Sequence, residues 1–262
     1  MSPLDAVAVL VAGVGAGMIN AVVGSGTLIT FPTLLALGVP PLTANVSNSL
    51  GLVPGSVAGA VGYRRELVGQ RQRVRRLLLV SVPAGATGAL LLLVLPAGAF
   101  EAVVPFLIAL GLVLVVVQPR LSAWVAAREE ARGRDGDRGA WWLPVATFGS
   151  GVYGGYFGAA QGVILMAVLG IGLSDALQRL NALKNVLVAA VNGVAGVLFV
   201  VVAGLDLLGT QAEVDWLLVL LIGVGAVIGG FLGAAVGRRL PPLLLRAVIV
   251  VVGLVALVVL LA

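Results

Sequence analysis

The chain has 262 residues, of which 60% are hydrophobic and only 10% charged, and its mean hydropathy is +1.16. Soluble domains carry about 25% charged residues, so this composition excludes that class and predicts a polytopic helical membrane protein. The absence of cysteine and histidine excludes disulfides, thiol chemistry and histidine-based catalysis, and the net charge of +5, carried mostly by loop arginines, does not indicate nucleic-acid binding.

The first half of the chain alternates apolar segments with glycine breaks. An apolar segment over residues 6–23 precedes Gly24-Ser25-Gly26, where a helix is unfavourable. The next segment, Thr27 to Gly38, is too short to span a bilayer comfortably, and we expect a half-helix, a tilted helix or a re-entrant piece. A polar-faced helix over 44–63 and two plain spans over 77–95 and 102–117 complete this half.

The second half follows the same plan. A span reaching Gln161 is followed by a short piece over 163–172, a polar-striped helix over about 182–203, a span over 216–237 and a final span. The span over 216–237 carries glycines at intervals of four, which predicts close helix packing. They are Gly225, Gly229, Gly233 and Gly237. Such small-residue faces serve internal packing or a homodimer equally well.

The two halves also match residue by residue. Gly13, Gly17 and Gly24 recur 138 residues later as Gly151, Gly155 and Gly162, and Asn48 recurs 137 residues later as Asn185. Chance recurrence in so biased a composition is the alternative. The shared order of breaks favours a repeat, and five segments per half require the second copy to enter from the opposite side. The predicted fold is all-α and polytopic, with about ten transmembrane or half-membrane helices in two inverted five-segment repeats. The first repeat covers 1–117, a cytoplasmic linker loop 118–142 and the second repeat 143–262.

Loop charges predict the sidedness of this arrangement. Residues 64–76 carry six arginines and one acid, and 118–142 and 238–246 are also arginine-rich, so these loops are expected to be cytoplasmic. Residues 1–5, 96–101 and 204–215 carry acids and no basic residue, which is typical of the outer side. The assignment requires both short segments to cross, and both termini then lie outside a bacterial inner membrane.

The stretch from Gln178 to Gly196 contains Lys184 and three asparagines among apolar residues. At 3.6 residues per turn one stripe collects the polar positions. It contains Asn181, Lys184 or Asn185, Val188, Asn192 and Gly196. An ionisable residue at membrane depth costs roughly 2.5–3.5 kcal/mol on insertion scales and usually marks a functional site. The alternative is that Lys184 lies near the helix end and snorkels to the headgroups; the asparagines on its face favour a site.

Two stretches carry a resemblance to a known family. They read NAVVGSGTLITFPTLLALGVPPLTANVSNSLGLVPGSVAG and GYFGAAQGVILMAVLGIGLSDALQRLNALKNVLVAAVNGVAG. Both resemble the TauE/SafE family of permeases, also called the sulfite exporter family, over almost the whole chain apart from 118–142. The resemblance implies a secondary transporter that exports sulfite, sulfoacetate or other organosulfonates across the plasma membrane. A permease for a different small anion or organic acid is the alternative within the same class.

An anion requires hydrogen-bond donors, a fixed positive charge and helix N-termini aimed at it. The residues that meet this description form the predicted substrate site. They are Ser25, Thr27, Asn45, Ser47, Asn48, Ser49, Gln161, Asn181, Lys184 and Asn185. For a serine or threonine alone, a hydrogen bond to its own helix is the stronger expectation. Asparagine is costly in lipid, which favours function at these positions.

The rival classes need features that this sequence lacks. A membrane-embedded enzyme needs a nucleophile, metal ligands or paired acids, and a cation carrier needs intramembrane carboxylates; no Asp or Glu falls at clear mid-span depth. A structural or assembly subunit would not need polar stripes in both halves. We therefore expect no catalysis, metal or cofactor, and partners limited to a small anion, membrane lipid and a second copy of the chain.

Overall fold

The computed structural model describes residues 1–132, 140–205, 213–236 and 242–261. These residues form α-helices joined by short connections, and no strand occurs among them. In chain order the helices are α1 (Pro3–Val22), α2 (Thr27–Ala36), α3 (Pro41–Gly62), α4 (Arg71–Val94), α5 (Ala97–Arg132), α6 (Leu143–Tyr156), α7 (Gln161–Gly172), α8 (Leu177–Gly204), α9 (Trp216–Val236) and α10 (Pro242–Leu261).

Several of these helices are long and apolar enough to cross a membrane. Within the described ranges these are Pro3–Val22, Arg71–Val94, Gly98–Leu121, Leu177–Gly204 and Trp216–Ala235. The predicted class, an all-helical multi-pass membrane protein, is therefore confirmed.

The two short helices follow glycine breaks. α2 has 10 residues and α7 has 12, which at 1.5 Å per residue is about 15 and 18 Å, half of a bilayer core. Gly24 before α2 has φ +92° and Gly158 before α7 has φ +76°, conformations that favour glycine. The breaks were predicted; in the second half the chain turns at Gly158, before Gly162.

Each glycine break joins two consecutive helices, α1 to α2 and α6 to α7. Each pair starts and ends on the same side of the fold. The start of α1 at Asp5, the end of α2 at Leu37 and the start of α9 at Leu218 line one cavity. The starts of α4 and α6 line another together with the α7–α8 connection. The short helices are therefore half-membrane helices that return to the side where their partner began. Each pair makes no net crossing, which gives the same alternation of loops as the two full crossings expected from the charges.

The most extensive helix–helix contact is unusually close because glycine residues line it. α1 packs along α9, where a Cβ added to Gly229 would lie 1.9 Å from the carbonyl oxygen of Val14. Gly225 and Gly233 contact the α1 backbone in the same way. Three members of the predicted glycine series thus form a packing face inside the chain, and Gly237 lies outside the described residues.

One predicted boundary differs. The linker was expected to begin at residue 118, but α5 continues to Arg132 over 36 residues, with Pro105 and Pro119 inside it. The charged residues near its end favour helix on propensity grounds, and charge alone does not end a helix that leaves the bilayer. Residues 133–139 of the predicted linker lie outside the described residues.

Candidate functional site

The two breaks contact each other through glycine backbones. The N–H of Gly162 donates to the carbonyl oxygen of Gly24 at 3.1 Å. A Cβ on either residue would lie 2.4 Å from the Cα of the other, so no side chain fits at this crossing. The N–H of Gly24 donates to Ile19 O at 3.0 Å. Because both N–H groups are engaged in these hydrogen bonds, neither Gly24 nor Gly162 offers a free backbone donor to a ligand.

The free donors lie one step further along, at the N-terminus of α2. Among the described residues, no hydrogen bond engages the buried N–H groups of Ser25, Gly26 and Thr27, because a helix leaves its first N–H groups without an internal partner. The Ser25 hydroxyl is fully buried and also lacks a partner. Across the glycine crossing, both amide atoms of Gln161 are buried and unpartnered. The structure thus brings unpaired hydrogen-bonding groups to both breaks.

The lysine and two asparagines of α8 meet the opposite end of a helix. Lys184 Nζ donates to Asn20 O at 3.0 Å, and the amide nitrogens of Asn181 and Asn185 donate to Ala21 O at 3.0 and 3.2 Å. These carbonyl groups belong to the last turn of α1, whose end attracts cations. Lys184 is 0% exposed, so it does not snorkel.

Lys184 has no acidic partner among the described residues. Among the described residues, no carboxylate lies within ion-pair distance of its amine. Its one hydrogen bond goes to Asn20, and Gly26 packs against the same residue: a Cβ added to Gly26 would lie 3.1 Å from Asn20 Cβ. The amine and the N-terminus of α2 therefore flank a single residue of α1.

The polar residues of α3 divide between two locations. Asn48 lies at the break, where its amide nitrogen contacts Thr27 Oγ1 at 3.3 Å and its oxygen accepts a hydrogen bond from Thr30. Asn45 donates to Tyr156 O, in the last turn of α6, at 3.0 Å, and its oxygen is unpartnered. These two asparagines belong to the same buried region as the breaks.

Two predicted residues are not at the breaks. Ser47 Oγ accepts a hydrogen bond from the N–H of Asp215 at 3.0 Å, just before α9 begins. Ser49 is buried on α3 and forms no hydrogen bond to either break. Four polar residues within positions 45–49 point in different directions because successive helix positions rotate by about 100°. The α3 cluster could not share one face.

Sequence reasoning missed other residues of the buried region. Asn20 donates from its side chain to Ser56 Oγ at 2.9 Å and supplies the carbonyl for Lys184. Thr30 bonds Asn48, and the buried hydroxyl of Tyr153 is unpartnered. The signal for Asn20 was its place just before a glycine break in a span with no other strongly polar residue. No comparable signal marked Tyr153, because tyrosine in a span also indicates an interface.

This arrangement offers hydrogen-bond donors to a small polar molecule. It offers a lysine amine with two further N–H donors, free N–H groups at a helix N-terminus, a hydroxyl and an amide. Within the described residues, no group of histidine, cysteine, aspartate or glutamate side chains could hold a metal ion. The surplus donors suit a ligand that accepts hydrogen bonds.

The paired breaks and the buried asparagines all lie within the part of the chain that a family profile matches. The profile described as sulfite exporter TauE/SafE matches residues 9–260. The chain belongs to this family. The match includes both half-helices and both polar-striped helices, so the family assignment covers the whole candidate site.

Individual TauE/SafE relatives are distant. The chain is 28% identical to the "Probable membrane transporter protein YfcA" of Escherichia coli K12 over 233 residues, covering 86% of this chain and 76% of the relative. It is 28% identical to a "Probable membrane transporter protein" of Haemophilus influenzae over 250 residues, covering 95% and 91%. A Sinorhizobium "Probable membrane transporter protein ORF9" is 31% identical over 94 residues, 36% of each chain. No solved structure matches the chain.

Proposed function

We propose that this chain is a secondary transporter that exports a small sulfur-containing anion, such as sulfite, sulfoacetate or another organosulfonate, across the bacterial inner membrane. The observation that carries the proposal is the fully buried Lys184, which has no carboxylate partner among the described residues and shares its neighbour Asn20 with the N-terminus of α2. A buried charge without a counter-ion is costly, and a transported anion supplies that counter-ion.

The donors around Lys184 suit an oxyanion. The three free N–H groups of Ser25, Gly26 and Thr27, with the Ser25 hydroxyl, form an anion site of the kind found at helix N-termini. The Gln161 amide adds two further N–H donors from the second half. The asparagines Asn45, Asn48, Asn181 and Asn185 hold the helix ends in place and border the same site.

The comparisons support a transporter and an anion of this class. The family description names sulfite export, and the relatives are named as membrane transporters. These names indicate transport rather than catalysis. The substrate itself is our proposal, argued from the donors in the site.

We further propose that the two halves form an inverted repeat. The most extensive helix contacts support this proposal, because each has a counterpart when the helices of one half are exchanged for those of the other. α1 packs on α9 as α6 packs on α4, α3 on α9 as α8 on α4, and α2 on α10 as α7 on α5. Gly24 and Gly162, which are 138 residues apart, contact each other, as equivalent residues on a two-fold axis do.

The correspondence between the two halves extends to the individual backbone atoms that the glycines contact. A Cβ on Gly229 would meet Val14 O at 1.9 Å and Met18 N at 2.8 Å. A Cβ on Gly88 would meet Val152 O at 2.1 Å and Tyr156 N at 2.8 Å. Both contacted residues are shifted by the same 138 positions. Such repeats place the substrate near the bilayer midplane, where broken helices meet. In this chain the two helix breaks meet at Gly24 and Gly162.

Flux measurements in proteoliposomes test the function. We expect the purified chain to move labelled sulfite or sulfoacetate, and not labelled sodium. Saturable sodium flux with no anion flux would contradict the proposal. Anion flux that excludes sulfonates but includes a small carboxylate would retain the site and correct the substrate.

A further inference from the structure

The larger of the two cavities described above is rich in arginine. It has a volume of about 600 Å³ and is bounded by the starts of α4 and α6 and by the α7–α8 connection. Its described lining includes Arg73, Arg76 and Arg179 and one acid, Asp175. Among the described lining residues, three guanidinium groups and one carboxylate give an excess of positive charge.

Asp175 organises two of these arginines. Its carboxylate accepts hydrogen bonds from Arg73 Nη1 at 2.6 Å and from Arg179 Nε at 2.8 Å. Burial alone would raise the pKa of Asp175, but the hydrogen bonds from the two arginines outweigh burial and lower this pKa, so the carboxylate stays charged. The guanidinium groups are therefore held in fixed positions, and they also donate to Gln70 Oε1 from Arg73 and to Val68 O from Arg179, at 3.2 Å each. Arg76 adds a third charge on an exposed turn of α4.

The second cavity has the opposite charge. It has a volume of about 540 Å³, and its described lining contains Asp5, Glu213 and Asp215 and no arginine or lysine. The two cavities occupy equivalent places in the two halves: Leu143 in the basic cavity and Asp5 in the acidic one are 138 residues apart, and Leu77 and Leu218 are 141 apart. Equivalent places in the fold therefore carry opposite charge.

The basic cavity and the buried amine are close to each other along α8. Arg179 lines it and lies five positions before Lys184 on α8, a rise of about 7.5 Å along the helix axis. An anion held at Arg179 is thus within one and a half turns of the buried amine.

We propose that the arginine-lined cavity between α4, α6 and the α7–α8 connection is a second anion-binding site, a vestibule that collects organosulfonate or sulfite on one face of the membrane, while the acidic cavity on the other face repels it. This inference rests on the proposed function and adds an intake site and a difference in affinity between the two faces. A cleft with one sign of charge raises the local concentration of opposite charge by about tenfold or more.

The absence of cysteine allows the potential in each cavity to be measured without any transport assay. Ser174→Cys places a thiol in the basic cavity and Leu37→Cys places one in the acidic cavity. Each full-length variant is treated in detergent with a sulfonate-bearing methanethiosulfonate and with its trimethylammonium analogue. After normalisation to a free small thiol, we expect the ratio of anionic to cationic reaction rates to be at least about tenfold higher at Ser174→Cys. Equal ratios of anionic to cationic rates at the two positions would contradict the proposed vestibule.

Binding is tested by protection and by one matched pair of arginines. Ethanesulfonate should protect Ser174→Cys saturably, and more than sodium chloride of equal ionic strength, but should not protect Leu37→Cys. Adding Arg76→Gln should weaken this protection several-fold. The control is Arg75→Gln, which should not weaken it, because Arg75 is an exposed arginine outside the cavity lining. Protection that does not saturate, or equal effects of the two substitutions, would overturn the site.

Flux separates this inference from the function on which it rests. In proteoliposomes, Arg76→Gln should raise the KM for sulfoacetate at the basic face several-fold and leave the maximal rate unchanged. Saturable protection without any sulfonate flux would retain the vestibule and contradict the transport proposal. Flux with an unchanged KM in Arg76→Gln would retain transport and overturn the vestibule.

Discussion

Lys184 has one role in the structure and a second in our proposal, and a single substitution would remove both. Its amine caps the last turn of α1 through Asn20 O, and in our proposal its charge binds the anion. Removing it leaves a buried carbonyl unpaired, which costs about 1–3 kcal/mol of stability. Loss of transport is therefore informative only beside a variant that weakens the cap and keeps the charge.

We expect Lys184→Met to abolish anion flux while the protein still inserts and folds, with a lower thermal stability. The control is Asn185→Leu, which removes one of two donors to Ala21 O and leaves the lysine; it should retain measurable flux. Lys184→Arg should transport only partly, because a planar guanidinium does not occupy the position of a compact ammonium. Normal flux in Lys184→Met would show that the lysine caps α1 and does not bind the anion.

Substitution of Ser25 should weaken anion binding without lowering the stability of the protein. Its buried hydroxyl has no partner among the described residues, so Ser25→Ala should leave thermal stability unchanged or raise it. A hydrogen bond to a charged group contributes about 1.5–3 kcal/mol, so the same substitution should raise the KM for the anion by about tenfold or more. Thr33→Val on the same helix removes a hydroxyl that bonds Ile29 O at 2.8 Å and should leave KM unchanged. Equal KM values would remove Ser25 from the site.

These residues also show where sequence reasoning succeeds and where it stops. Lys184 and its asparagines were found because polar groups are rare and costly in lipid. Their hydrogen bonds were not predictable, because the carbonyl groups of Asn20 and Ala21 come from another helix some 160 residues earlier. The partner of Ser47 was not predictable for a related reason: spacing gives the direction of Ser47 on α3 but not the neighbour, Asp215, that lies there.

Helix pairing depends on glycine faces that the sequence did predict. A four-residue glycine interval indicates a close contact, but it does not name the partner helix, and an internal contact and a homodimer were equally compatible with it. The structure places Gly229 against the α1 backbone. The extent of α5 was not predictable from hydropathy, since a helix that leaves the bilayer continues as long as its local sequence permits.

Gly229→Ala tests this packing. Its Cβ would lie 1.9 Å from Val14 O, a backbone atom that moves only if α1 moves, so we expect a loss of about 1–3 kcal/mol or more. Gly88→Ala should do the same at the α4–α6 contact, where the distance is 2.1 Å. Gly193→Ala is the control, because a Cβ there meets no atom within 4 Å. Thermal unfolding in detergent measures all three, and equal stabilities would contradict the α1–α9 contact.

The arrangement of the whole chain across the membrane can be mapped with single cysteines. Val68 in the α3–α4 connection, Leu37 after α2 and Leu205 after α8 are all exposed. In intact cells, a membrane-impermeant thiol reagent should label Leu37→Cys and Leu205→Cys from outside and Val68→Cys only after permeabilisation. Labelling of Leu37→Cys from the side of Val68 would contradict the returning α1–α2 pair, and labelling of Leu205→Cys from that side would contradict the inverted repeat.

The driving force of transport follows from the charge of the substrate and the scarcity of titratable groups in the membrane. The chain has no histidine or cysteine, and among the described residues no carboxylate pairs with Lys184, so a proton relay has few groups to use. An inside-negative potential favours outward movement of negative charge by about 2.3 kcal/mol per elementary charge per 100 mV. At about 120 mV a monoanion would be held near a hundredfold lower inside than outside without a coupling ion. Efflux of sulfoacetate from proteoliposomes should therefore follow an imposed potassium-diffusion potential at zero pH gradient and reverse when the potential is reversed. Flux that ignores the potential and follows an imposed pH or sodium gradient would establish coupled exchange instead.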